Sequence, residues 1–155
     1  MLKKLTFALI LFPALCLAAL AQSESTPKGV AIESATGTKY AILIGVNDYV
    51  RLSKLRYAKN DIEALRDELY KIGFEEKNVS TLTCGSTNNK RPSKENIELF
   101  IEVVLEQAKE RDIVLVAMSG HGIEVDGEAR FCPPDTKPDD LSQTTVSIKG
   151  IFEAL

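Results

Sequence analysis

The residues best suited to chemistry in this 155-residue chain gather at the end of one apolar run. Asp112-Ile113-Val114-Leu115-Val116-Ala117-Met118-Ser119-Gly120-His121-Gly122 places the only histidine of the sequence between two glycines. Imidazole titrates near neutrality, so His121 is a candidate for proton transfer. The same position suits a structural histidine hydrogen-bonded in a loop. Other chemistries fail on spacing. A dinucleotide fingerprint needs G-x-G-x-x-G after the first strand, where only Gly45 stands, and a phosphate loop ending in Gly-Lys-Ser/Thr is missing. One histidine with scattered acids does not supply a metal site, so neither metal nor cofactor is expected. Ala117-Met118-Ser119-Gly120-His121 departs from the hydrolase elbow G-x-S-x-G at both ends, and that triad needs a second histidine. Cys84 and Cys132 could bridge in an exported protein, but spacing alone does not put their Cα atoms within reach, so the disulfide stays open.

A scaffold must hold this run, and the apolar pattern describes one. The Ile113–Met118 stretch is continuous enough for a strand buried on both faces, as in a parallel sheet covered by helices, and ligands bind at the carboxyl ends of such strands. Tyr40-Ala41-Ile42-Leu43-Ile44-Gly45-Val46 is a second strand of this kind, turned at its end by Asn47-Asp48-Tyr49. From Asn60, Ile62, Leu65, Leu69 and Ile72 recur at helical spacing up to a stop at Gly73. Asn78 to Leu82 is a short strand candidate, and Cys84 to Arg91 is a polar surface loop. Ser93 caps a second helix with an apolar stripe at Ile97, Phe100, Ile101, Val104, Leu105 and Ala108. Strand, helix, strand, helix, strand is the order of a mainly parallel sheet in an αβα sandwich. Beyond His121 the rhythm changes. Ile123-Glu124-Val125 and Ala129-Arg130-Phe131 flank Asp126-Gly127, the turn of an antiparallel hairpin. Pro133-Pro134-Asp135 ends it, 136–145 is a polar loop, and a helix starting at Ser147 has made barely two turns at Leu155. An α/β fold should continue there, so the sequence reads as incomplete.

With 45% apolar and 26% charged residues the composition is that of a soluble globular domain, and the length allows one core. A net charge of -3 and a pI near 5.3 carry no basic footprint, so no nucleic-acid partner is expected. Met1-Leu2-Lys3-Lys4, the apolar Leu5 to Leu20 and Ala19-Leu20-Ala21 read as a secretory signal over residues 1–21, cleaved before Gln22. The run is short for a membrane anchor, and Leu15 is too bulky before Cys16 for a lipoprotein signal. Cleavage removes two of the 19 basic residues and no acidic one, leaving 17 against 22 and a charge of -5. The mature chain is therefore expected to be exported, without stable membrane insertion, with 22–38 as a flexible lead-in and 39–155 as the domain.

Four segments in order resemble one family. Tyr40-Ala41-Ile42-Leu43-Ile44-Gly45-Val46-Asn47, then Leu55-Arg56-Tyr57-Ala58-Lys59-Asn60-Asp61 with Leu65, Leu69 and Gly73, then Ser119-Gly120-His121-Gly122, then Phe131-Cys132-Pro133-Pro134-Asp135 are similar to the caspase and metacaspase cysteine endopeptidases. The likeness runs from about Lys39 to the end. It implies a thiol peptidase acting on a polypeptide substrate, with His121 as the catalytic histidine. Gly122 would supply a backbone N–H to the oxyanion hole. The family's nucleophile is a cysteine in an Asp-x-Cys-x-Ser-Gly motif at the end of the next parallel strand, and this chain stops before it. By the same likeness Cys132 stands in a structural strand and Cys84 before a variable loop, so neither is expected to attack.

Two departures qualify the likeness. Caspases carry an arginine before the first helix where Leu55 stands here, with Arg56 adjacent, which leaves an aspartate preference unsupported. Metacaspases that need calcium carry an acidic pair where this chain has Ser147-Ile148-Lys149. Asp135, Asp139 and Asp140 lie near, but read first as solvated loop carboxylates. The expectation is a cysteine-type endopeptidase domain that has the histidine and lacks the nucleophile, and so is inactive by itself. The alternatives are a non-catalytic binding module on the same fold and a piece of a serine hydrolase, which would need a later G-x-S-x-G and a later histidine.

Overall fold

β1 (Lys39–Gly45) is the axis of the fold, because its alternate side chains have an apolar partner on both faces. The computed structural model describes residues 37–86 and 88–155. The expected signal segment at 1–21, and the lead-in as far as residue 36, lie outside the described residues. β1 is flanked in parallel by β2 (Val79–Thr83) and β3 (Ile113–Ser119), in the order β2-β1-β3. Ala41 and Leu43 pack against Ile62 and Leu69 of α1 (Ala58–Lys71). Ile42 and Ile44 point the other way, into Ile97, Ile101 and Val104 of α2 (Lys94–Gln107). Helices thus cover both faces, as the alternation of patterns predicts, and the period of two along β1 decides which residue meets which helix.

Local signals set the helix ends. The Ser93 hydroxyl accepts the Asn96 N–H at 3.3 Å, an N-cap of the expected kind. Past α1, Gly73 takes a φ of +90°, and Lys39 Nζ reaches from β1 to the Ile72 carbonyl at 2.7 Å, satisfying an end carbonyl with a cation. Asp112 joins the two long strands at their starts. One carboxylate oxygen accepts the Thr38 N–H at 2.7 Å and the other the Lys109 N–H at 2.9 Å.

β3 corrects one expectation. The run predicted to be buried on both faces is half-buried, and Ile113 at its start is exposed. The reason is its place: β1 lines one edge, and among the described residues no strand lines the other. Continuous apolarity marks a strand that helices cover, but does not tell a central strand from an edge one.

Beyond His121 the hairpin forms as the turn chemistry requires. β4 (Gly122–Val125) and β5 (Glu128–Phe131) pair antiparallel around Asp126 (φ 52°) and Gly127 (φ 81°), the two left-handed residues of a type I′ turn. The segment expected as a plain polar loop carries more order. It holds the single-turn α3 (Leu141–Thr144), and directly after it β6 (Val146–Ser147) pairs with β5. Arg130 is the cause, since its guanidinium donates to the Thr145 hydroxyl at 2.6 Å and to the carbonyls of Ser142 and Thr145 at 3.0 and 3.2 Å. α4 (Ile148–Ala154) follows, capped by the Ser147 hydroxyl, and lays Ile151 on the α2 side of the core.

Substitutions along the sheet should follow this gradient of burial. Ile44→Ala, at a site with no exposure, should lower unfolding free energy by about 2–5 kcal/mol, and Ile113→Ala by less than about 1 kcal/mol, read from urea midpoints.

Candidate active site

The β1–β3 register sets Gly45 beside Ser119, so both strands leave the sheet at one place. The Val46 N–H donates to the Ser119 carbonyl at 2.9 Å, carrying the pairing one step past the strand. Asn47 then closes the loop that follows. Its carbonyl accepts the Leu55 N–H at 2.8 Å, its side-chain amide donates to the Arg56 carbonyl at 3.2 Å, and its side-chain oxygen accepts the Lys59 N–H at 2.7 Å. The last bond caps α1 from twelve residues away, where Tyr57 gives no side-chain cap. Leu55 and Arg56 stand at the base of this loop, the Arg56 side chain exposed.

The loop brings two groups to His121. His121 Nε2 lies 2.8 Å from the Ser53 carbonyl oxygen and 3.3 Å from the Ser53 hydroxyl. A carbonyl only accepts, so Nε2 carries the proton, and in the neutral ring Nδ1 is the free base. Tyr49 lies on the other side. Its ring centroid is 4.7 Å from that of His121 at a tilt of 49°, and its hydroxyl accepts the His121 backbone N–H at 2.7 Å. Gly120 makes that approach possible, because a Cβ there would stand 2.8 Å from both the Tyr49 hydroxyl and the Phe131 ring.

The His121 carbonyl accepts the Cys132 N–H at 2.9 Å, at the head of the hairpin ladder. In a trans peptide the carbonyl of one residue and the N–H of the next point in opposite directions. The Gly122 N–H therefore faces away from β5, on the edge of β4 that no strand lines among the described residues. An imidazole with a free Nδ1 and an outward backbone donor thus sit on adjacent residues. Beside them runs a groove of about 470 Å³ lined by Met118, Gly120, Gly122 and Ile148.

Cys84 and Cys132 are both free thiols. Cys132 is across the ladder from His121, yet buried at 2% exposure, and burial raises its pKa against a smaller lowering from its hydrogen bond to Thr136. Cys84 follows β2 and approaches the Asp48 carbonyl at 3.6 Å. Asp139 pairs with Arg51 at 3.4 Å, and no three His, Cys, Asp or Glu side chains gather at metal-binding distance among the described residues. No helix among those residues is long and apolar enough to cross a membrane.

The family model of the caspase domain, in the peptidase C14 family, matches residues 38–155. The chain belongs to the caspase-domain family of cysteine peptidases. Metacaspase-6 of Arabidopsis thaliana is 33% identical over 91 residues, which are 58% of this chain and 25% of that protein. Metacaspase-4 of the same plant is 32% identical over 92 residues, 59% of this chain and 22% of the relative. Metacaspase-1A of Aspergillus oryzae is 33% identical over 91 residues, 57% and 22%. The matched part of this caspase-domain chain thus spans about a quarter of the length of these relatives.

Within the caspase domain, Tyr49, Ser53 and Asn47 are the site residues that sequence reasoning missed. Ser53 acts through its carbonyl, which every residue type has. Asn47 could have been found, since an asparagine in a strand-end turn just before a helix is a candidate cap.

Two measurements bear on these environments. Burial at 6% exposure pushes the Tyr49 hydroxyl up to about 12, partly offset by the His121 N–H. The unfolded phenol ionises near 10 while the folded one keeps its proton, so stability is full below pH 10 and falls between about 10 and 12. That loss, about 2–3 kcal/mol, should vanish from the pH dependence of urea midpoints in Tyr49→Phe. Alkylation at pH 8 followed by peptide mapping should modify Cys84 quickly, while Cys132 reacts only on unfolding.

Proposed function

We propose that this domain hydrolyses peptide bonds by cysteine chemistry, with His121 as the proton carrier and Gly122 as an oxyanion donor. The observation that carries the reading is the pairing of a free Nδ1, left by the Nε2–H bond to the Ser53 carbonyl, with a Gly122 N–H turned out of the hairpin. The nucleophile is a cysteine on a further parallel strand that pairs with the free edge of β3. Supporting this, the edge is flanked by an apolar groove of about 440 Å³ between Val114, Val116 and Met118 of β3 and Ile151 and Phe152 of α4. An unpaired edge beside apolar surface is where another strand adds.

In the reaction, Nδ1 takes the thiol proton and the thiolate attacks the scissile carbonyl carbon. A C–S bond forms as the carbonyl electrons move onto oxygen, opposite the Gly122 N–H. The tetrahedral species collapses, the C–N bond breaks, and Nδ1–H protonates the leaving amine. Water, deprotonated by Nδ1, then cleaves the thioester and restores the thiol. The substrate is a polypeptide. Cys132 does not take the thiol's part in this scheme, because a buried thiol with a raised pKa offers little thiolate near neutrality.

The test is a tagged peptide electrophile applied to the protein purified from its source, with the modified residue mapped by mass spectrometry. The expected label falls on a cysteine in an Asp-x-Cys sequence and is lost by at least a hundredfold in His121→Ala. Label on Cys84 or Cys132, or labelling indifferent to His121, would refute the assignment.

A further inference from the structure

We infer that Tyr49 is a positioning residue for His121, holding it through the backbone so that one ring tautomer and one direction of the Gly122 N–H are kept. The inference rests on the reading of His121 above, and adds to it the residue that orients the base. Three bonds fix His121, two from the loop that follows β1 and one from the residue after β5. The Tyr49 hydroxyl takes its N–H at 2.7 Å, the Cys132 N–H binds its carbonyl at 2.9 Å, and the Ser53 carbonyl accepts from Nε2 at 2.8 Å. The first two bonds lock the peptide planes on either side of the Cα, and the third then has only the ring torsions left to select.

The Tyr49 bond is unlike its neighbours. In the regular ladder, the His121 N–H would be answered by the Cys132 carbonyl, as the Cys132 N–H is by the His121 carbonyl. A side chain from another loop takes that place, and the hairpin is released from the ladder at His121, between Gly120 and Gly122, which line the groove. Tyr49 is buried as a residue, and its hydroxyl approaches through the space that the missing Gly120 side chain leaves. The ring contact, with centroids 4.7 Å apart, then limits how far the imidazole turns from Ser53. A tyrosine that only filled the core would meet its packing requirement with the ring alone.

Tyr49→Phe separates the two roles, because it keeps the ring and removes the acceptor. His121 is the only histidine, so ¹⁵N spectra of the chain report its ring without ambiguity. In the wild type, the neutral ring should be the Nε2–H tautomer, and the His121 amide should be protected from hydrogen exchange. In Tyr49→Phe the His121 amide should exchange roughly tenfold faster, the Nδ1–H tautomer should become visible and the Gly122 amide resonance should move. The Val46 amide, bonded to the Ser119 carbonyl one strand end away, should keep its protection. Unchanged tautomer and exchange at His121 would overturn the inference, and so would an equal loss at Val46, which would mean a general loosening. None of these readouts needs turnover, so a failure of the peptidase reading and a failure of the Tyr49 role are told apart.

Discussion

The site depends on one constraint, the parallel register that places Gly45 of β1 beside Ser119 of β3. Two strand ends become neighbours, and the segments that leave them, one carrying Asn47 and Tyr49 and the other His121, begin within hydrogen-bonding distance of each other. Gly45 serves this junction. A Cβ there would stand 3.0 Å from the Ala58 carbonyl and 3.1 Å from the Lys59 Cα, so its absence lets the first turn of α1 seat against the end of β1. The loop between must return to its own starting point, and Asn47 closes it with three bonds. Tyr49 and Ser53 then reach His121 from two sides.

Much of this was legible in the chain because burial writes a period into sequence. The continuous apolar run of β1 and the helical stripes on either side of it announced both faces of the sandwich, and Asp126-Gly127 announced its hairpin, since few residues adopt left-handed backbone without strain. What was not legible depends on partners. Whether Ile113–Ser119 is a central or an edge strand is decided by what lies beside it, not by its own apolarity. The order in residues 141–147 comes from the Arg130 guanidinium reaching across from β5, a contact that no local pattern encodes. His121 and Gly122 were singled out as a strand-end histidine and its glycine neighbour. Their surroundings were hidden because they come from residues 68 and 72 positions earlier.

Stability and chemistry are divided unevenly across the fold. The sheet under the site has no exposure from Ala41 to Ile44, and large-to-small changes there open cavities that the packed helices do not close. The His121 end and its flank are half-buried, with Phe152 of α4 at 73% exposure and, among the described residues, no strand on one edge of β3. A rigid interior with an accessible rim holds the imidazole in one geometry beside open surface.

The contacts that orient His121 are made to a large extent by the main chain. The Ser53 carbonyl, the Cys132 N–H, the His121 amide and the Gly122 N–H are present whatever side chains those positions bear. Such a site is insensitive to many substitutions at the contacting residues and sensitive to anything that redirects the chain. The residues that carry its specificity are therefore those that permit the path. Gly120 leaves the space through which the Tyr49 hydroxyl approaches, Gly45 leaves the space for α1, and Asn47 ties the loop to the helix. A methyl at Gly120 would meet the hydroxyl and the Phe131 ring together, so the tyrosine or the hairpin would have to move, and either movement turns the imidazole away from Ser53. Two of these three residues are glycines because the chemistry here is set by how closely segments of backbone approach one another.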